Sequence, residues 1–159
     1  MSRLYVVDNT VLSNFARIQH PELLELAVAP DAITPPTVRH ELRLGENLGV
    51  LPRLDWQWLP TATLDTVEQA LAEELRVGMD AGEAECLALA IHRKGVIVTD
   101  DRGARQKAAQ RGVEMSGTIG VLKNLVRDGH LTLAEADGYL GALIAQGFRS
   151  PVESLKQLA

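Results

Sequence analysis

Two short apolar runs in this chain each end on acid. Leu4-Tyr5-Val6-Val7 stops at Asp8, and Val96-Ile97-Val98-Thr99 stops at the pair Asp100-Asp101. Unbroken apolar runs of this length, without polar alternation, read as strands covered on both faces, which is the pattern of a parallel sheet. Parallel strands need helical crossovers, and ligands of such sheets sit outside the carboxyl ends of the strands. Acids gathered at those ends point to a cation site. Two further acids fit the same picture: Glu41 in Val38-Arg39-His40-Glu41-Leu42, and Glu83 in Asp80-Ala81-Gly82-Glu83-Ala84-Glu85.

A chain of 159 residues suffices for one core, so one domain spanning 1–159 is expected. The hydrophobic share is 46% with only 4% aromatic, so Leu, Val, Ile and Ala build the core, as suits helices packed on a sheet. The expected class is α/β, with a central parallel sheet between helical layers. A lone cysteine, Cys86, has no internal partner, and Met1-Ser2-Arg3-Leu4 leads into a strand without a signal-like apolar segment. A reduced, cytoplasmic setting follows as an expectation. No apolar stretch approaches the roughly 20 residues of a membrane span. A net charge of −5 excludes holding nucleic acid by bulk electrostatics alone. Arg93, Lys94, Arg102, Arg105, Lys107 and Arg111 nevertheless cluster around Asp100-Asp101. They form either a local basic rim or ordinary solvated helix faces.

Periodicity and punctuation predict the remaining elements. Helices are expected over Thr10–Ile18 and Glu22–Val28, followed by a brief strand Ala32–Thr34. Pro36 should open a helix that carries Glu41 and closes at Gly45. Trp56 and Trp58 alternate within Asp55–Leu59 as a strand would. Helices over Asp65–Val77 and Ala81–Lys94 then precede the Val96–Thr99 strand. A basic helix Arg102–Gln110 leads to a strand at Val113–Met115, and further helices are expected from Gly117 to Val126, Thr132 to Ala145 and Pro151 to Leu158.

Mg²⁺ or Mn²⁺ takes hard oxygen ligands, and two-metal hydrolases gather several carboxylates to activate water and stabilise attacking and leaving oxygens. Each acid also has a plainer explanation. Asp8 and one of Asp100-Asp101 could cap helices, Asp80-x-x-Glu83 has capping-box spacing, and Glu41 alone is a surface glutamate. As a set these explanations leave unaccounted why acids terminate two strands. Other chemistry is weakly represented. Neither a Gly-x-Ser-x-Gly elbow nor a Gly-x-x-x-x-Gly-Lys phosphate loop occurs. His20, His40, His92 and His130 lack zinc spacing. Gly117-Thr118-Ile119-Gly120 would suit either a phosphate at a helix N-terminus or a turn that needs glycine.

Taken together, Val6-Val7-Asp8-Asn9-Thr10-Val11-Leu12, Val38-Arg39-His40-Glu41-Leu42, Gly82-Glu83-Ala84-Glu85-Cys86-Leu87-Ala88-Leu89-Ala90 and Val98-Thr99-Asp100-Asp101-Arg102 resemble the PIN-domain family of Mg²⁺/Mn²⁺-dependent ribonucleases. Within it they resemble the VapC-like toxins of toxin–antitoxin pairs. The Gly-Glu-Ala-Glu, Asp-Asp-Arg and Gly-Thr-x-Gly signatures look closest to a branch described as nucleic-acid-binding. The resemblance implies a PIN-like three-layer fold and a metal-dependent endoribonuclease. Its metal-binding and catalytic acids would be Asp8, Glu41, Glu83 and Asp101, with Asp100 as the other candidate of its pair and Thr10 as polar support. The family's usual third acid is Asp, whereas Glu83 reaches farther. Arg102 and Arg105 would contact RNA phosphates. The implied partners are a small antitoxin covering the site and a second copy of the chain.

Two other readings compete. Receiver-like or haloacid-phosphatase-like domains also place Asp at strand ends, but they want an acid pair or Asp-x-Asp after the first strand, where Asp8-Asn9-Thr10 offers one acid. A non-catalytic module of the same fold would use the acid pocket for a metal or for a partner's arginine.

Overall fold

The computed structural model describes residues 3–158. The strands are β1 (Tyr5–Val7), β2 (Ala32–Ile33), β3 (Val96–Val98) and β4 (Met115–Ser116). The helices are α1 (Asn9–Arg17), α2 (Pro21–Val28), α3 (Pro36–Asn47), α4 (Thr66–Leu75), α5 (Ala81–His92), α6 (Arg102–Gln110), α7 (Thr118–Arg127) and α8 (Leu133–Ala145), with a closing 3-10 turn at Leu155–Leu158.

All strand pairs are parallel and the order is β2-β1-β3-β4. Val6 sits beside Ile33 on one side and Ile97 on the other, and Ile97 in turn faces Met115. The α/β architecture with a central parallel sheet is therefore as the sequence leads one to expect. From the central pair β1/β3, one crossover runs outward to β2 and another outward to β4, in opposite directions. Right-handed crossovers then place their helices on opposite faces. Accordingly α1, α2, α7 and α8 pack together on one side, and α5 packs with α4 and α6 on the other. The point between β1 and β3 is where the winding reverses, so it opens a crevice at the strand ends.

Burial explains the apolar runs. Val6, Val7, Ile97 and Val98 are wholly inaccessible, and so are Leu12 and Phe15 on one side and Leu87 and Leu89 on the other. α5 is buried nearly all round its Cys86–Ala90 segment because it lies between β1, α3, α4 and α6, which is why its sequence lacks a polar stripe.

Three expectations are corrected. Asp55–Leu59 is not a strand. The Gln57 N–H turns back to the Asp55 carboxylate at 2.9 Å, the Leu59 N–H donates to the Trp56 carbonyl, and the Arg39 guanidinium takes the Trp56 and Leu59 carbonyls. The backbone groups a ladder would use are thus satisfied locally. α3 does not close at Gly45 but runs on to Asn47, because Gly45 serves packing: a Cβ there would stand 3.0 Å from Leu51 Cδ1. In the tail, Pro151–Leu158 forms only the final 3-10 turn. Side chains replace helix bonds there: Gln157 Oε1 accepts from the Glu153 and Ser154 N–H groups, and Asp137 accepts from the Leu155 N–H.

Truncation should separate core from surface. Leu12→Ala removes a fully enclosed side chain and should cost about 2–5 kcal/mol, whereas Leu48→Ala, at 69% exposure, should stay within about 0.5 kcal/mol. Urea unfolding of the two variants against the parent measures both.

Candidate metal centre

The carboxyl ends of β1 and β3 converge on Asp8. β1 delivers it one residue past Val7, and its N–H is tied to the Val98 carbonyl at 2.9 Å, so its backbone is part of the sheet. Its side chain is buried, with 2% exposure. Thr99 Oγ1 donates to Asp8 Oδ2 at 2.8 Å and Thr10 Oγ1 donates to the same oxygen at 3.0 Å. Both hydroxyls therefore fix the rotation of the carboxylate while leaving Oδ1 clear of side-chain donors. Burial raises the Asp8 pKa above its ordinary value. The threonine hydrogen bonds oppose the shift, and Asp80 adds to it.

Around Asp8 the other acids crowd. Glu41 reaches from α3 across the first turn of α5, where its carboxyl group lies against Gly82: a Cβ there would meet Oε1 and stand 3.2 Å from Cδ. A larger residue there would have to displace the Glu41 carboxyl group. Burial pushes the Glu41 pKa up to about 7, and Asp80, Asp8 and Glu85 push the same way. Glu83, one turn into α5, is raised to about 8, again first by burial and then by Asp80, Asp101 and Asp8. Asp80 caps α5 through the Glu83 N–H at 2.9 Å, so half of the capping-box reading holds. Asp101 accepts from the Ala104 N–H at 2.8 Å as the N-cap of α6.

Glu83 thus lies within electrostatic reach of Asp80, Asp101 and Asp8, and Glu41 within reach of Asp80, Asp8 and Glu85. Asp100 turns the other way. Its oxygens accept from Asn14 Nδ2 at 2.9 Å, from the Thr118 N–H at 2.9 Å and from the Thr118 hydroxyl, which ties β3 to α1 and to the start of α7. Gly117 leaves space that a Cβ would take from Asp100 Oδ1 and the Thr99 carbonyl; its extended backbone would suit any residue. Thr10 both donates to Asp8 and accepts from the Asp100 N–H at 3.0 Å. Arg102 is exposed at the start of α6, and Arg105 donates to the Thr99 carbonyl at 3.0 Å.

The sequence reading missed Thr99, Asn14 and Thr34. Thr34 is fully buried and donates to the Val7 carbonyl at 2.8 Å. A hydroxyl at the end of an apolar strand was the available signal for Thr99 and for Thr34; for Asn14 there was none.

Among the described residues, one group of three brings its ligand atoms within 4.8 Å of one another: Asp65, Glu68 and His92. It lies between α4 and α5, away from the strand ends. Glu68 is inaccessible, and its two oxygens already take the Asp65 N–H, His92 Nδ1 and two nitrogens of Arg93 at 2.8–3.1 Å. Arg93 therefore already supplies the positive charge that a cation would bring, and holds Glu68 down to about 2. This is a structural clamp. The acids at the strand ends, spaced more widely than that triad, offer hard oxygens and repel one another, which suits a divalent ion.

A parallel α/β sheet with a group of acids at its winding reversal is the class that fold and site define. The family model for the PIN domain matches residues 4–159, and the chain belongs to that family. PIN domains are generally metal-dependent nucleases, so a nuclease using divalent metal is the coarse assignment. The comparison with curated proteins finds no match.

Raised and lowered carboxyl groups predict opposite limbs of a pH–stability curve. Glu41 and Glu83 hold protons in the fold that the unfolded chain releases near pH 4.3, so metal-free protein should lose stability as pH rises from about 4.5 to 8. Glu83→Gln should flatten that limb. Glu68 acts oppositely: its contribution is complete above about pH 4.5 and is lost as pH falls toward 2. Melting temperatures across pH 2–9 read both limbs.

Proposed function

We propose that this chain is an endoribonuclease that hydrolyses RNA phosphodiester bonds with Mg²⁺ or Mn²⁺ held by Asp8, Glu41, Glu83 and Asp101. The observation that carries the reading is the buried Asp8 carboxylate, held by Thr10 and Thr99 among strand-end acids that make no salt bridge among the described residues. When bound, the ions supply activation of water and stabilisation of charge on the attacking and leaving oxygens. The chain's own part is placement. Thr99 and Thr10 hold Asp8 in one orientation, while α5 brings Glu83 and supports Glu41 through Gly82. The protons carried by Glu41 and Glu83 near neutral pH leave as the cation enters, so affinity for metal rises with pH. Arg102 and Arg105, beside Asp101 on α6, are placed to meet phosphates of the RNA.

The finer biological role is the toxin of a type II toxin–antitoxin pair, acting as a homodimer and silenced by a small antitoxin. The resemblance of the Gly-Glu-Ala-Glu and Asp-Asp-Arg segments supports it, and so do the exposed apolar side chains Leu44, Leu48 and Val50 near the end of α3, which suit a protein interface.

The test uses Asp8→Asn and Asp101→Asn, which keep shape and, for Asp101, capping ability. Millimolar Mg²⁺ or Mn²⁺ should raise the melting temperature of the parent and raise it less in either variant. Cleavage of a total RNA pool should fall on the order of 10²-fold or more, the scale of losing one electrostatic stabiliser. Unchanged cleavage in both variants would overturn the assignment. Metal stabilisation without cleavage of any RNA would replace it with the non-catalytic module.

A further inference from the structure

On the side of β3 away from the acids lies a cavity of about 550 Å³ with the opposite charge. Its walls include Arg105 from α6, Lys123 from α7 and Arg149 from the segment after α8, together with the apolar surfaces of Met115 and Phe148. Asp100 is the acid in the lining, and its oxygens are already occupied by Asn14 and Thr118. Lys123 and Arg149 make no salt bridge or side-chain hydrogen bond among the described residues, and both are exposed. In a chain of net charge −5, three cations around one occupied carboxylate make a local anion-attracting hollow. Its volume falls in the range of small-ligand sites. It adjoins the strand-end acids through a single peptide segment, because Asp100 lines the hollow and Asp101 acts on Glu83.

We infer that this hollow receives a nucleotide of single-stranded RNA next to the bond being cut, with its phosphate against Arg105, Lys123 and Arg149 and its base against Phe148. The inference rests on the ribonuclease reading above and adds the location and chemistry of a flanking subsite. Cations alone would accept any anion. An aromatic side chain in the same wall selects a base, since stacking on an unpaired base is tolerant of sequence. A paired duplex hides that face of the base, so the hollow favours unpaired strand.

The test measures binding of a fluorescent single-stranded oligoribonucleotide in EDTA, where cleavage is off, and cleavage of the same strand in Mn²⁺. Lys123→Ala/Arg149→Ala should weaken binding about 10-fold and lower the salt slope by roughly 0.7 for each phosphate no longer neutralised. Phe148→Ala should weaken binding about 5-fold or more with its salt slope intact. Arg111→Ala, the same kind of charge removal at the far end of α6, should bind within about 2-fold of the parent. In Mn²⁺ the cavity variants should raise KM and keep kcat. If the parent binds and cuts RNA while the double variant matches Arg111→Ala, the hollow is not a subsite and the ribonuclease reading stands. If the parent neither binds nor cuts RNA, both fall. Capture of a poly-glutamate peptide with no oligonucleotide binding would instead assign the hollow to an acidic protein segment.

Discussion

The structure depends on keeping one ionisable group, Asp8, almost out of water at the point where the sheet reverses its winding. A buried carboxylate is costly unless hydrogen bonds or a cation compensate it. Two threonine hydroxyls provide part of that compensation, and they come from different strand ends: Thr10 follows β1 and Thr99 closes β3. The same hydroxyls accept the Asp100 and Asp101 N–H groups. Two side chains thus lock the relative height of two strands, the rotation of one acid and the backbone of two more. Everything at the mouth, from the cap of α6 to the start of α7, is positioned relative to this knot.

The segment Thr99-Asp100-Asp101 divides the surface by chemistry. Thr99 points to Asp8, Asp100 ties down α7 and Asp101 caps α6 beside Glu83. Successive residues leaving a strand alternate in direction, so adjacent acids face different surroundings. Asp100 accepts hydrogen bonds from three donors, whereas burial and neighbouring acids raise Glu41 and Glu83. Glu68 shows the other outcome for a buried acid. Where Arg93 and His92 meet it the carboxylate is stabilised, and where only other acids meet Glu41 and Glu83 the proton stays.

Much of this was legible in the chain because the signals were local. The apolar runs of β1 and β3, the helix that Pro36 opens and the apolar body of α5 each carry their own pattern. Their union into one parallel sheet follows from the need for helical crossovers. What failed was decided by contacts that the pattern of the segment does not carry. The tryptophan alternation at Asp55–Leu59 looked like a strand until Arg39 took its carbonyls, and Gly45 looked like a stop until Leu51 packed on it. The division of labour between Asp100 and Asp101 depends on Asn14 and Thr118, far away in sequence. The role of Asp80 as a source of repulsion, beyond its capping, needs the position of Glu41 on another helix. The hollow beside β4 is drawn from residues 100 to 158 and has no contiguous signature.

The hydrogen bond between Thr99 and Asp8 spans 91 positions of the chain, and β1 has no central neighbour until β3 exists. While the polypeptide is being made from its N-terminus, Asp8, Glu41 and Glu83 are all translated before the strand that aligns them. Until β3 is made, Asp8, Glu41 and Glu83 lie on segments that lack the central pairing of the sheet. These acids gain a common frame only when the strand ending in Thr99 pairs with β1.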